Sequence, residues 1–494
     1  MHANFRLPRI RLSSLGLSWP LLVAVAVCVR FLVGSTTQML SDPDTHLHLA
    51  SGHWILQHLS VPDVDPFSYT MAGQPWIAHE WLAQCLLAVF YDWGGWTGLV
   101  LLTVSCYALT LAYLLRYLLA RMPPIYALFF TTLAYVALRT HLLARPHVLS
   151  WLLLAVWAGT LIKSSERNLS PPWWLLGLML LWANLHGSFT LGLALLPAIG
   201  LEALLNSPRA SRWQTLKSWS FFFVLAVLAA MITPSGWKGL WFTFQVLDLK
   251  SLNGIVEWMP PGSSTLLMLE FTLAVLLGLA CTGYLRLPVI RLLLVLGLLH
   301  QALTHVRYIS LFGLLTPLLI ASPFGELYAA RTAGQQQATS LDDIFTRLAA
   351  PARRSTIAVA VVVVVLTGFI TGQTGRHVPA AANTPQAAVD AALRAGAAGH
   401  VLNADNFGGY LMSRGIPVFI DGRADLYGDR HMDAYTALGS NQAEKIQKVL
   451  DDFNIAWTLL PPGAGTLLYL NMRADWRKVY EDETAVVHIR HPSS

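Results

Sequence analysis

The chain has 494 residues, of which 55% are hydrophobic and 12% charged, with a formal net charge of +6; average soluble domains carry roughly 25% charged residues. That balance excludes a soluble globular protein and points to a chain that crosses a membrane many times. No basic surface interleaved with aromatic residues accompanies the positive charge, so nucleic acid is not an expected partner, and Cys28, Cys85, Cys106 and Cys281 sit in apolar runs at spacings that suit neither a metal nor a disulfide framework.

Residues 1–14, with Arg6, Arg9 and Arg11, read as a cytoplasmic N-terminus ahead of a first span at 15–38. This span is long for a cleaved signal and lacks a small-x-small site, so it is expected to stay as an anchor. Residues 39–94 form a polar loop with Asp42, Asp44, Asp63, Asp65, Glu80 and five histidines, and no Lys or Arg occurs between Phe31 and Leu115. An uncompensated acidic loop at a membrane face is hard to explain as packing and points to chemistry. Within it, Asp42-Pro-Asp44 also suits a helix N-terminus over His46–His58, and Asp63-Val-Asp-Pro-Phe-Ser suits turns. The apolar stretch from His79 to Tyr91 is too short to cross and reads as an interfacial helix.

Ten further runs of near-spanning length follow at 95–118, 124–142, 147–163, 171–185, 188–206, 217–233, 264–284, 287–304, 306–322 and 355–372, making eleven spans. With the N-terminus inside, sixteen basic residues fall on the inner side and six near the outer ends, as the positive-inside rule requires. The unusual polar residues then gather on the outer side: the Asp42/Asp44 loop, His79-Glu80-Trp81, Arg139, His141, Arg145 and His147, Asn184-Leu-His186, Glu257-Trp258 and His305-Val-Arg307. Residues 375–494 lack any span-length apolar run and read as a small soluble α/β domain on that same outer side. Strands are expected at Pro417–Ile420, Ala456–Leu460 and Ala485–Ile489, with a helix between Asn441 and Phe453. The fold class is therefore a mostly α, polytopic membrane bundle with a large first external loop and a C-terminal α/β domain.

Three arginines opposite an acidic loop (Arg139, Arg145, Arg307) suit a clamp for an anionic phosphate, although snorkelling to headgroups is an alternative. Asp42 and Asp44, with His48, offer ligands for a divalent cation, Mg2+ or Mn2+, which stays an open question. Trp76, Trp81 and Trp258 are candidates for stacking on sugar faces, aromatic interface belts being the commoner use.

One cytoplasmic end, one span, a large external loop opening on Asp42-Pro-Asp-Thr45, an interfacial helix and then many spans together resemble the GT-C superfamily of integral-membrane glycosyltransferases. The similarity is nearest to the protein O-mannosyltransferase and aminoarabinose-transferase branch, where a Glu stands at the position of Thr45. The chain is also similar to bacterial membrane proteins that share Asp65-Pro-Phe-Ser68, Pro75-Trp-Ile-Ala-His-Glu-Trp81, Asn184-Leu-His-Gly187, Gly408-Gly-Tyr-Leu411 and Phe419-Ile-Asp-Gly-Arg-Ala-Asp-Leu-Tyr427. The resemblance implies a polyprenyl-phosphate sugar donor, a glycan, lipid or protein acceptor outside the inner membrane, and an inverting single displacement. It implies Asp44 as general base with Asp42 beside it, while His79, Glu80, His147, His186, Glu257 and Trp258 are candidates for holding substrate. A flippase for lipid-linked glycans, or a non-catalytic subunit of an envelope-assembly system, stays open as an alternative.

Overall fold

The computed structural model describes residues 16–247, 256–333, 340–440 and 442–491; the expected N-terminal segment 1–14 lies outside them. The bundle is built from α1 (Trp19–Val33), α2 (Asp44–His58), α3 (Trp81–Leu119), α4 (Pro124–Arg139), α5 (Pro146–Glu166), α6 (Trp174–Leu185), α7 (Phe189–Asn206), α8 (Arg212–Ala230), α9 (Trp237–Leu247), α10 (Ser263–Cys281), α11 (Val289–Thr304), α12 (Ile309–Thr332), α13 (Ser340–Leu348) and α14 (Arg354–Gln373). Seven of these helices are long and apolar enough to cross a membrane, and α1, α4, α6 and α11 are shorter apolar helices. Each of the eleven expected spans overlaps one of these eleven helices. The protein is a multi-pass membrane protein.

Helix α3 joins what the sequence divides into an interfacial helix and a span. The two halves meet at a break at Gly94 and Gly95, and Gly95 takes φ 58° and ψ −145°, a conformation closed to side chains with a Cβ. The chain thus changes direction between Trp93 and Trp96. Burial separates the centre of the bundle from its rim. The most apolar stretches of α5 and α12 are 78% buried, whereas those of α10 and α14 are 6% and 11% buried and leave their side chains for lipid. Inside the bundle Arg291 of α11, 3% exposed, lies against Glu202 of α7 at 2.8 Å and Glu166 of α5 at 3.0 Å, so its charge is matched where water is scarce.

After α14 comes the C-terminal module: α15 (Gln386–Arg394), β1 (His400–Asn403), α16 (Asp405–Ser413), α17 (Ala424–Ala437), α18 (Ala443–Asp452), β2 (Ile455–Leu460), α19 (Thr466–Asn471), β3 (Trp476–Glu481) and β4 (Val486–Arg490). Its sheet runs β1-β2-β4-β3, with β1 parallel to β2 and the other pairs antiparallel. The apolar run Ile455–Leu460 forms a central strand, buried except at Ala456, as expected of a strand covered on both faces. The expected strand at Pro417–Ile420 does not join this sheet. Val418 instead pairs with Ser68 of the first loop, and Tyr69 N–H donates to its carbonyl at 3.2 Å.

Helix α2 therefore has two loyalties. It packs on α3 and on α16, and its Leu47 and Ala50 belong to the core of the C-terminal module. First loop and last domain form a single folded layer over one end of the bundle.

Candidate active site

At the start of α2 the Asp-Pro-Asp element serves as a cap and leaves acid groups to spare. Asp42 Oδ1 accepts the N–H of Asp44 at 2.8 Å, and the second oxygen of Asp42 turns to Arg145, in the loop just ahead of α5. Arg145 gathers three carboxylates: Nη1 lies 3.2 Å from Asp42 Oδ2 and 2.6 Å from Glu257 Oε1, and Nη2 lies 2.9 Å from Asp44 Oδ2. Glu257 reaches in from the single 3-10 turn Val256–Trp258. Thr45 is buried, with its hydroxyl 3.4 Å from the carbonyl of Ala144.

One guanidinium cannot neutralise three partly buried carboxylates at once. Burial pushes Asp44 up to about 7; Arg145 pulls the other way, and Asp42, Glu257 and Asp421 add to the rise. Burial also raises Glu257, but Arg145, His141 and Arg307 outweigh it and hold that carboxyl below its ordinary value. Arg145 itself stays charged, since its acidic neighbours outweigh its own desolvation. The outcome is a poised carboxyl, Asp44, beside a fixed cation.

A second carboxylate, Glu80, sits among histidines, 3.4 Å from His186 Nε2 and 3.9 Å from His48 Nδ1 and from His79 Nε2. The N–H of Ser188 donates to His186 Nδ1 at 3.0 Å, which leaves the Nε2 proton to face Glu80. Burial lowers His186 and His48 well below their usual range and brings His141 to about 4, so these rings are neutral hydrogen-bonding groups near pH 7. Burial raises Glu80. His147 Nε2–H donates to the carbonyl of His141 at 2.8 Å, and its ring stacks against His141 with centroids 4.4 Å apart. Trp81 Nε1–H donates to Asn184 Oδ1 at 2.7 Å, which ties the His-Glu-Trp motif to the Asn-Leu-His motif.

The C-terminal module completes this site. A Cβ built on Gly422 would stand 1.9 Å from Asp44 Oδ1, and one on Gly409 would stand 2.8 Å from both Leu47 N and Pro43 O; only glycine lets the two surfaces come this close. Next to Gly422, Arg423 reaches Asp65 Oδ1 at 2.7 Å and Asp421 Oδ2 at 2.7 Å. It lies over the ring of Trp76 at 4.6 Å, so Trp76 is a buried part of the dock and not a sugar platform. Asp65 meanwhile accepts the N–H groups of Phe67 and Ser68 at 3.1 and 2.9 Å, combining the turn chemistry expected of it with an inter-domain ion pair. Arg423→Leu would strand two buried carboxylates. The expected cost is about 3–5 kcal/mol, to be read as a lowered unfolding midpoint and faster proteolysis of the module.

Asp425, in the first turn of α17, is a site residue the sequence reading missed. Burial raises its carboxyl and His79 opposes the rise, and its charge in turn raises Glu80. The only signal for it was the Asp-Gly-Arg-Ala-Asp-Leu-Tyr run, whose spatial partners are far away in the chain.

The three arginines expected to clamp phosphate part company. Arg145 is occupied by carboxylates, and Arg139 is exposed at the end of α4 with no ion pair among the described residues. Arg307 lies over the rings of Trp258 at 4.5 Å and Tyr308 at 5.9 Å and likewise has no ion pair among the described residues, so it alone combines a free charge with a place near the cluster. The cation set Asp42, Asp44 and His48 is not assembled. Among the described residues no three His, Cys, Asp or Glu side chains converge as ligands; both aspartates turn to Arg145, and His48 faces Gln84 and Glu80. The guanidinium stands where a divalent ion bridging these carboxylates would need to be.

No protein-family model matches the chain, and no curated protein matches it by sequence. Solved structures do. The oligosaccharyltransferase of Archaeoglobus fulgidus in its apo form superposes with a TM-score of 0.54 at 11% identity, over 89% of this chain and 69% of that one. The chain shares that enzyme's overall fold. The archaeal oligosaccharyltransferase AglB from Archaeoglobus fulgidus, in complex with an inhibitory peptide and a dolichol-phosphate, gives 0.52 at 11% identity, over 90% and 69%. Arabinofuranosyltransferase AftD from mycobacteria gives 0.48 at 12%, over 96% of this chain and 40% of that one. At these identities the likeness concerns architecture alone.

Proposed function

We propose that this protein is a membrane glycosyltransferase that moves a sugar from a polyprenyl-phosphate donor to a glycan, lipid or protein acceptor, with Asp44 as general base. The observation that carries the reading is the carboxylate cluster at the start of α2 on a GT-C bundle, with one member poised near neutrality. A base is most effective when its pKa lies near the working pH, and Asp44 meets that condition while Arg145 holds it in place. As the acceptor oxygen or nitrogen bonds to the anomeric carbon from one face, its proton passes to Asp44. The bond from that carbon to the phosphate oxygen breaks on the opposite face, its electron pair leaves with polyprenyl phosphate, and the configuration inverts. Arg307 supplies the charge that meets the leaving phosphate. The dolichol-phosphate in the AglB complex supports a lipid-phosphate donor, and the positive-inside count supports an active site on the outer face of the inner membrane.

Transfer of radiolabelled sugar from a panel of polyprenyl-phosphate donors by the purified protein in lipid nanodiscs tests this reading. Transfer with inversion supports it; donor binding with no transfer to any acceptor from envelope extracts would make the protein a carrier instead. Because Arg145 already occupies the space between Asp42, Asp44 and Glu257, transfer is expected to run at an undiminished rate in EDTA. A rate that falls on chelation and returns with Mg2+ or Mn2+ would show that Arg145 gives way to a cation during turnover.

A further inference from the structure

The end of the bundle remote from the carboxylate cluster carries a cavity. Helix α5 connects the two: Arg145 precedes its first residue and Glu166 is its last, a separation of about 30 Å at 1.5 Å per residue. The cavity measures about 760 Å³ and lies among the ends of α3 and α5, the loop leading to α6, and Ser322 of α12. Small-molecule sites typically occupy about 300–1,000 Å³.

Its charges do not balance. Arg121 is fixed, with Nη2 3.7 Å from Glu166, Nε 3.2 Å from Ser322 Oγ and the guanidinium carbon 3.6 Å above the ring of Tyr117. Glu166 also meets Arg291, which holds Glu202, so two arginines and two glutamates close into a neutral set. Arg116, Lys163 and Arg167 line the same cavity, and none of them has an ion pair among the described residues. Three unmatched cations on separate faces would simply be solvated; these three share one concave site. The loop side of the cavity is apolar, with Leu169 56% and Trp174 54% exposed. A free phosphate has no use for such a wall, whereas a lipid needs one beside its headgroup.

We propose that this cavity binds the phosphodiester headgroup of an anionic phospholipid from the leaflet on that side, with Arg116, Lys163 and Arg167 on the phosphate and Leu169 and Trp174 against the first carbons of the acyl chains. Basic pockets between membrane helices are a recurrent way of holding such headgroups. The inference does not depend on the transfer chemistry at the far end.

The test is retention of phosphatidylglycerol and of phosphatidylcholine by the detergent-purified protein, followed by native mass spectrometry after graded delipidation. Wild type is compared with the triple variant Arg116→Gln, Lys163→Gln, Arg167→Gln and with the charge-preserving Lys163→Arg. Wild type and Lys163→Arg are expected to keep phosphatidylglycerol, and the triple variant to lose it with a Kd raised about tenfold or more; phosphatidylcholine should be held weakly by all three. Equal retention of phosphatidylglycerol by wild type and a folded triple variant overturns the proposal. So does complete displacement of phosphatidylglycerol by excess inorganic phosphate, which would assign the cavity to a free anion. Should the triple variant unfold, the single variants Arg116→Gln and Arg167→Gln carry the comparison, each expected to weaken phosphatidylglycerol alone.

Discussion

Asp44→Asn is expected to slow transfer by about 10²–10⁴-fold, the range for loss of a positioned general base, while leaving a folded protein. The substitution isolates the chemistry, because Asn serves as well as Asp at a helix start and Asp42 Oδ1 still accepts the N–H of residue 44. In the wild type the rate should climb as pH rises through about 7, where Asp44 loses its proton, and level off above. The stability effect has the opposite sign. The carboxyl of Asp44 sits above its unfolded value, so its contribution to stability is fully present below pH of about 4 and fades as pH rises through about 7. At pH 8 the Asn variant should therefore melt no lower than wild type, and by this account somewhat higher, the usual sign of a strained functional group. A variant that retains full transfer at pH 8 would remove Asp44 from the base role.

Gly422→Ala is the second large effect. Its Cβ would sit 1.9 Å from Asp44 Oδ1 and 2.7 Å from the carbon that bears it, so either the carboxylate turns away from Arg145 or the module lifts. Displacing a reacting group by about 1 Å is enough to cost about 10²-fold, and that is the expected loss in transfer. Gly463→Ala, where nothing lies within 4 Å of the new methyl, should be silent. If Gly422→Ala transfers at the wild-type rate while its module still resists proteolysis, the contact between module and base has no catalytic weight.

Periodicity and charge made the membrane part readable. Each expected span overlaps an apolar helix, and the short run ending at Tyr91 could be set apart from the span after it because it is too short to cross; α3 breaks between the two at Gly94-Gly95. The site was legible as residues but not as partnerships. Asp42, Asp44, Glu257, Glu80 and His186 were singled out because polar groups at the ends of apolar runs need a reason. Arg145 was given to a phosphate because charge counted along a chain does not say which carboxylates a guanidinium will face. Asp65 reads as part of a local turn and Arg423, 358 positions away, as part of a separate short motif, and no periodicity links them. The same limit misplaced Pro417–Ile420: its β-branched and aromatic residues signal an extended segment, but the partner is the first loop and not the nearby sheet.

The ion pair between Asp65 and Arg423 has a consequence for biosynthesis. At about 5–20 residues per second, the ribosome needs roughly 20–70 s to travel from one partner to the other, and in that interval the bundle is being threaded into the membrane. The acidic loop meanwhile stands without its cover, with Asp65 lacking its Arg423 partner. The dock between the first loop and the module can therefore close only in a single late event, when the last hundred or so residues fold down onto segments made at the start of synthesis.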